Sequence, residues 1–174
     1  MEPEKTPSFH ERFAELFEAH FGRIYRYLNR LSGDRELAAD VAQEAFVRLY
    51  QRGSLPDAPV AWLISVAMNL FRNEASARSR RLKLLTPARG ESVLGDPPPS
   101  PERSLEAKDS RKRVRLVLDR MPERDRDMLL LRAEGYSYRD IALALGLNEA
   151  SVGVFLARAR RAFREIYGES SNAP

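Results

Sequence analysis

The chain has 174 residues, 43% hydrophobic and 31% charged, enough to fill the core of one ordinary domain or two small ones. It contains no cysteine, which excludes disulfides, thiolate metal sites and cysteine nucleophiles, and no apolar run approaches the roughly 18 residues of a membrane span. A net charge of +4 suits a polyanionic partner, and the charge is unevenly placed along the chain.

The opening stretch, MEPEKTPSFHERF, carries acids and lacks an apolar signal region, which argues against export and for a cytoplasmic protein. From there, Phe9, Phe13, Leu16, Phe17, Phe21, Ile24, Leu28 and Leu31 recur at three- and four-residue steps. That spacing predicts a long amphipathic helix ending near Ser32-Gly33. Its two histidines, His10 and His20, have no partner motif and are expected to be ordinary surface or boundary residues. Asp34 is a candidate N-cap for a second helix to about Gln51, with Leu37, Val41, Ala45 and Leu49 facing inward. Gly53 to Pro59 breaks the chain, and Pro59 suits the first turn of a third helix. That helix is expected to bury Trp62, Leu63, Val66, Ala67 and Leu70. Its far end is basic, with five cations against one acid between Arg72 and Lys83.

Thr86 to Pro101 holds five prolines and two glycines and shows no apolar period. Prolines lack the donor a helix needs, and the Pro97–Pro99 run favours an extended path. A structureless stretch of this length is uncommon inside a compact fold, so residues 86–104 are expected to link two domains, 1–85 and 105–168. Residues 169–174 are expected to be a disordered tail. In the second domain, Val114, Leu116, Val117, Leu118 and Met121 predict one helix, and Met128 to Leu131 a short second one.

The segment from Ser137 to Arg164 carries the most specific pattern. Ser137 can cap a helix whose stripe is Ile141, Ala142 and Leu145, and Gly146 can end it. Asn148 can cap the next helix, with Val152, Leu156, Ala159 and Phe163 inward. At about 100° per residue the opposite face holds Ala150, Ser151, Val154, Ala157, Arg158 and Arg161. A helix pair of this kind, basic on the outer face of its second member, is either a helix–turn–helix able to place one helix in the major groove or an ordinary helical hairpin with a solvated basic face. The expected fold is therefore all-α, with two small helical domains, a Pro-rich linker and a carboxy-terminal helix–turn–helix. No phosphate-cradling glycine loop, Gly-x-Ser-x-Gly or paired-histidine metal motif occurs, so no catalytic residue, cofactor or metal is expected.

Three segments in this order resemble the extracytoplasmic-function sigma factors, the minimal promoter-recognition subunits of bacterial RNA polymerase. The first runs from Asp34 through Ala38-Ala39-Asp40-Val41-Ala42-Gln43-Glu44-Ala45-Phe46 to Tyr50. The second is Pro59-Val60-Ala61-Trp62-Leu63, then Ala67-Met68-Asn69-Leu70 and a basic tail. The third runs from Leu118-Asp119-Arg120-Met121-Pro122 through the helix–turn–helix to Arg158-Ala159-Arg160. The resemblance covers about residues 9–85 and 105–167.

The resemblance implies that Asp40, Gln43, Glu44 and Val47 dock on the clamp coiled coil of the core polymerase's largest subunit. It implies that Trp62, Asn69, Arg72 and Asn73, with Arg78, Arg80, Arg81 and Lys83 on phosphates, capture and melt the minus-ten element. Amides read a base edge on a displaced single strand, while the cations add a sequence-independent, salt-sensitive contribution. Ser151, Val154, Phe155, Arg158 and Arg161 are implied to meet the duplex minus-thirty-five element, Arg158 through a two-bond guanine contact. On this helix the chain departs from the family pattern, with Gly153, Val154 and Phe155 where cations are usual. Gly153 is expected to allow close approach to DNA or to another protein. An anti-sigma protein that sequesters both domains is a further implied partner. Two other readings compete: a stand-alone DNA-binding regulator, and a helical adaptor that never touches DNA. Co-elution with core polymerase in the absence of DNA separates the first from a sigma factor, and a promoter-specific transcript separates the second.

Overall fold

The computed structural model describes residues 8–85 and 104–171, and the expected linker lies outside the described residues. The described residues form seven helices and no strand: α1 (Phe9–Ser32), α2 (Arg35–Arg52), α3 (Pro59–Leu85), α4 (Ser104–Asp119), α5 (Glu123–Ala133), α6 (Tyr138–Leu145) and α7 (Glu149–Ser171). The chain divides into two compact units, Met1–Leu94 and Gly95–Pro174. Helix α7 runs through Ser171, so the first three residues of the expected disordered tail are helical.

In the first unit α1, α2 and α3 all pack on one another. Helix α1 begins in a capping box. The Ser8 hydroxyl accepts from the Glu11 N–H at 3.3 Å, and the Glu11 carboxylate accepts from the Ser8 N–H at 2.7 Å. It ends at Gly33, whose φ of 68° is open to glycine without steric cost. The next residue, Asp34, accepts from the Leu37 N–H at 3.0 Å and starts α2. This two-residue connection reverses the chain, and the ring contacts prove the antiparallel sense. Phe9 and Phe13 meet Tyr50, while Phe21 meets Phe46 one turn back. The core itself is Ile24, Tyr27, Leu28, Leu37, Val41, Ala45, Phe46, Leu49, Leu63, Ile64 and Ala67.

Helix α3 is rotated from the expected face. Ala61, Leu63, Ile64, Ala67 and Met68 are buried, whereas Trp62, Val66 and Leu70 are only partly covered. The segment is apolar around most of its circumference, so the sector that turns inward is chosen by the surfaces of α1 and α2. The small Ala61 and Ala67 permit close helix approach where the large Trp62 ring does not.

In the second unit α7 is the hub, packing on α4, α5 and α6. Val152, Leu156 and Ala159 of α7 are fully buried, as are Val117, Met128, Leu131, Tyr136 and Ile141 in the rest of the unit. Among the described side chains of α4, Val117 and Leu118 are buried, as is Met121 just past its end. Val114 and Leu116, expected to be inward, are 37% and 56% exposed. A helix packed chiefly against one neighbour buries a single narrow stripe, and α4 is such a helix.

Two substitutions test this account. Asp34 is held below the ordinary carboxylate range, chiefly by the Leu37 N–H and then by the Arg78 guanidinium. A group lowered in this way contributes stability above the ordinary carboxylate range and loses it as pH falls through its native value. Asp34→Ala is expected to destabilise the first unit by about 1 kcal/mol through the lost cap. Asp34→Asn, which keeps an accepting oxygen, loses less, and the Ala deficit shrinks in acid. Urea titration by fluorescence of Trp62, the sole tryptophan, reads this unit alone. In the second unit a Cβ at Gly153 would meet Tyr138 Cε2 at 3.5 Å, an ordinary contact. Gly153→Ala is therefore expected to stabilise α7 by about 1 kcal/mol. Slower amide exchange at Leu156 is the readout, and unchanged or faster exchange contradicts the packing described.

Candidate nucleic-acid and partner interfaces

The first surface lies on α2. Leu37, Val41, Ala45 and Leu49 turn inward as the spacing requires, and Asp40, Gln43, Glu44 and Val47 are consequently all exposed along the opposite side. Glu44 is not a bare charge. Its Oε1 accepts from Arg48 Nε at 2.8 Å one helical turn on. An exposed pair of this kind contributes about 0.3–0.5 kcal/mol, so a cationic partner can displace Arg48 at little cost. Val47, 37% exposed, provides an apolar contact within the acidic face.

The second surface is the outer side of α3. At 100° per residue Trp62, Asn69, Asn73 and Arg80 fall within about 40° of one another, forming one ridge about 27 Å long. The rotation of α3 places Trp62 on this ridge, together with both amides, which are exposed. Arg72 and Arg81 flank it and are also exposed. Arg78 does not join them. It lies on the inward side of the helix, where its Nη1 donates to Asp34 Oδ2 at 2.5 Å. The same carboxylate therefore caps α2 through Leu37 and anchors the basic end of α3. The expected phosphate role of Arg78 competes with this ion pair. The Lys83 side chain lies outside the described residues.

The third surface belongs to α6 and α7. Ser137 Oγ accepts from the Asp140 N–H at 3.0 Å and starts α6, and Gly146 ends it with a φ of 65°. Asn148 Oδ1 then accepts from the Ala150 N–H at 2.9 Å. The chain bends by 92° between the two helices, a helix–turn–helix crossing. With Val152, Leu156 and Ala159 locked in the core, Ala150, Val154, Ala157, Arg158 and Arg161 are all exposed on one face, with Ser151 half-buried at its margin.

Two expected members of this surface sit elsewhere. Phe155 is half-buried, and the Arg124 guanidinium lies over its ring at 4.7 Å, so it serves contact between α5 and α7. Gly153 faces Tyr138 of α6 rather than an open surface. Tyr138 is itself covered by the Arg132 guanidinium at 5.2 Å. These cation–ring pairs bring Arg124 and Arg132 beside α6 and α7, a placement that no local spacing reveals because each joins two elements.

Among the described residues no group of acidic or histidine side chains is placed to hold a metal ion, and no single helix is long and apolar enough to cross a membrane.

Comparison with known proteins matches two stretches of the chain to family descriptions. Residues 16–81 match sigma-70 region 2, and residues 111–163 match sigma-70 region 4. The chain is 34% identical over 153 residues to the RNA polymerase sigma-H factor of Pseudomonas aeruginosa, covering 81% of this chain and 76% of that protein. It is 29% identical over 161 residues to the ECF RNA polymerase sigma factor SigE of Mycolicibacterium smegmatis, covering 91% of this chain. It spans only 62% of the length of SigE. In fold it is similar to the sigma factor RpoE of Bartonella quintana, solved in complex with the anti-sigma factor NepR. That likeness has a TM-score of 0.62 at 21% identity and covers 89% of this chain and 96% of that one. Two sigma-70 regions in family order, on a two-unit helical chain with an acidic first face and a basic last helix, place this protein among the extracytoplasmic-function RNA polymerase sigma factors.

Proposed function

We propose that this chain directs core RNA polymerase to specific promoters and initiates transcription there, without catalytic activity of its own. It works in the cytoplasm, where polymerase and template meet. The observation that carries the proposal is the exposed row Ala150, Val154, Arg158 and Arg161 on a capped second helix of a helix–turn–helix. It supports a duplex-reading role for the second unit. The α2 face of Asp40, Gln43, Glu44 and Val47 supports docking on the clamp coiled coil of the polymerase's largest subunit. The α3 ridge supports capture of minus-ten bases, with the amides of Asn69 and Asn73 offered to base edges beside the Trp62 ring. Arg72, Arg80 and Arg81 hold the backbone in this scheme, while Arg78 positions the helix through Asp34. Residues 1–85 thus serve polymerase and the minus-ten element, and residues 105–168 the minus-thirty-five element. Control by an anti-sigma protein belongs to the same proposal, since the similar RpoE was captured with one.

In-vitro transcription with purified core polymerase and a randomised promoter library tests the whole reading, and absence of any defined start site ends it. Asp40→Lys is expected to weaken core-polymerase binding by about ten-fold, about 1.4 kcal/mol, with Trp62 fluorescence unfolding unchanged. Equal affinity in a competition assay removes the α2 face from the interface. Arg158→Ala is expected to cost about 1–3 kcal/mol on the selected upstream element and to relax specificity at one base pair. A uniform loss on all duplexes assigns Arg158 to the phosphate backbone instead.

A further inference from the structure

Val154 is 62% exposed, more than Leu116, Leu143 or Tyr50, the next most exposed large apolar residues among those described. A lone exposed valine is common, and its position is what makes this one informative. It lies in the second turn of α7, on the outer face, with Arg158 one turn further on and Arg161 beyond that. Ala150 and Ala157 stand beside it, too short to keep the helix from an approaching surface.

Valine has no hydrogen-bonding group in its side chain. It can read neither the acceptor pair of guanine nor the donors of adenine and cytosine. In the major groove of ordinary duplex DNA the apolar feature presented by a base is the C5-methyl group of thymine. A branched aliphatic side chain among arginines therefore meets DNA favourably only where such a methyl faces it, because elsewhere it desolvates polar base edges without pairing them. Val154 and Arg158 are four residues apart, about 6 Å along the helix. That is about two base-pair steps of 3.4 Å.

Resting on the duplex-reading role proposed above, we infer that Val154 recognises the methyl group of a thymine in the upstream element, within about two base pairs of the position read by Arg158. It replaces a charged contact with an apolar one, so selectivity at that base pair comes from one methyl group rather than from paired hydrogen bonds.

The test uses the full chain loaded on core polymerase and duplexes selected from a randomised upstream library. Each selected thymine is then replaced by deoxyuridine, which deletes the methyl and keeps the pairing. At one thymine near the position relaxed by Arg158→Ala, deoxyuridine is expected to weaken binding about four-fold, the worth of one buried methyl group. Val154→Ala should bind the thymine and deoxyuridine duplexes equally while keeping the preference at the Arg158 position. Because Val154 is exposed, the Ala variant should keep its helix content, and circular dichroism checks this. Indifference to deoxyuridine at every position, or a Val154→Ala variant that keeps the methyl sensitivity, overturns the inference and leaves the proposed function standing. Failure to select any upstream element overturns both.

Discussion

One carboxylate joins the three helices of the first unit. Asp34 follows the left-handed Gly33 that ends α1, caps α2 through the Leu37 N–H and binds Arg78 near the end of α3. Its amide and carbonyl are tied in turn to the Ser32 hydroxyl, each at 3.0 Å. The cap sets where α2 begins, and burial of Leu37, Val41, Ala45 and Leu49 then leaves Asp40, Glu44 and Val47 exposed. The Arg78 pair ties the basic end of α3 to the start of α2, while Arg80 lies outward along the line of Trp62, Asn69 and Asn73. The outer faces of α2 and α3 thus share one electrostatic anchor, although neither contains it.

The second unit solves the same problem with caps alone. Ser137, Gly146 and Asn148 mark the ends of α6 and the start of α7 within a dozen residues, and the bend between the helices follows. Burial of Val152, Leu156 and Ala159 then leaves the arginines with solvent as their only accessible side. Charge is distributed by the same rule in both units. Cations that belong to the surface chemistry stand on outward faces, while those on inward or lateral faces are used within the fold. Arg78 meets Asp34, Arg124 covers Phe155, and Arg132 covers Tyr138. A count of arginines along the sequence overstates the cations free for a polyanion, because several are already engaged.

Much of the fold was legible because its signals are short-ranged. An N-cap is a hydrogen bond across two or three residues, and a glycine stop is a property of one backbone position. Asp34, Ser137, Gly146 and Asn148 therefore announced their helices without knowledge of anything distant. The packed stripes of α2 and α7 were equally legible, since each is continuous and only one rotation buries it.

Where apolar residues encircle a helix, the spacing has nothing to choose between. On α3 it placed Trp62, Val66 and Leu70 inside, and the neighbouring helices instead accepted Ala61, Ile64 and Met68. On α4 it placed Val114 and Leu116 inside, but a single packing partner covers only one sector. The inward turn of Arg78, the ring under Arg124 and the contact of Gly153 with Tyr138 each join residues on different helices. By itself the sequence determined the seven helical segments, the capped ends at Asp34, Ser137, Gly146 and Asn148, and the two simplest faces, through interactions that close within a turn. Tertiary structure decided the rotation of the remaining helices and the employment of each arginine, because those depend on surfaces brought together only when the helices pack.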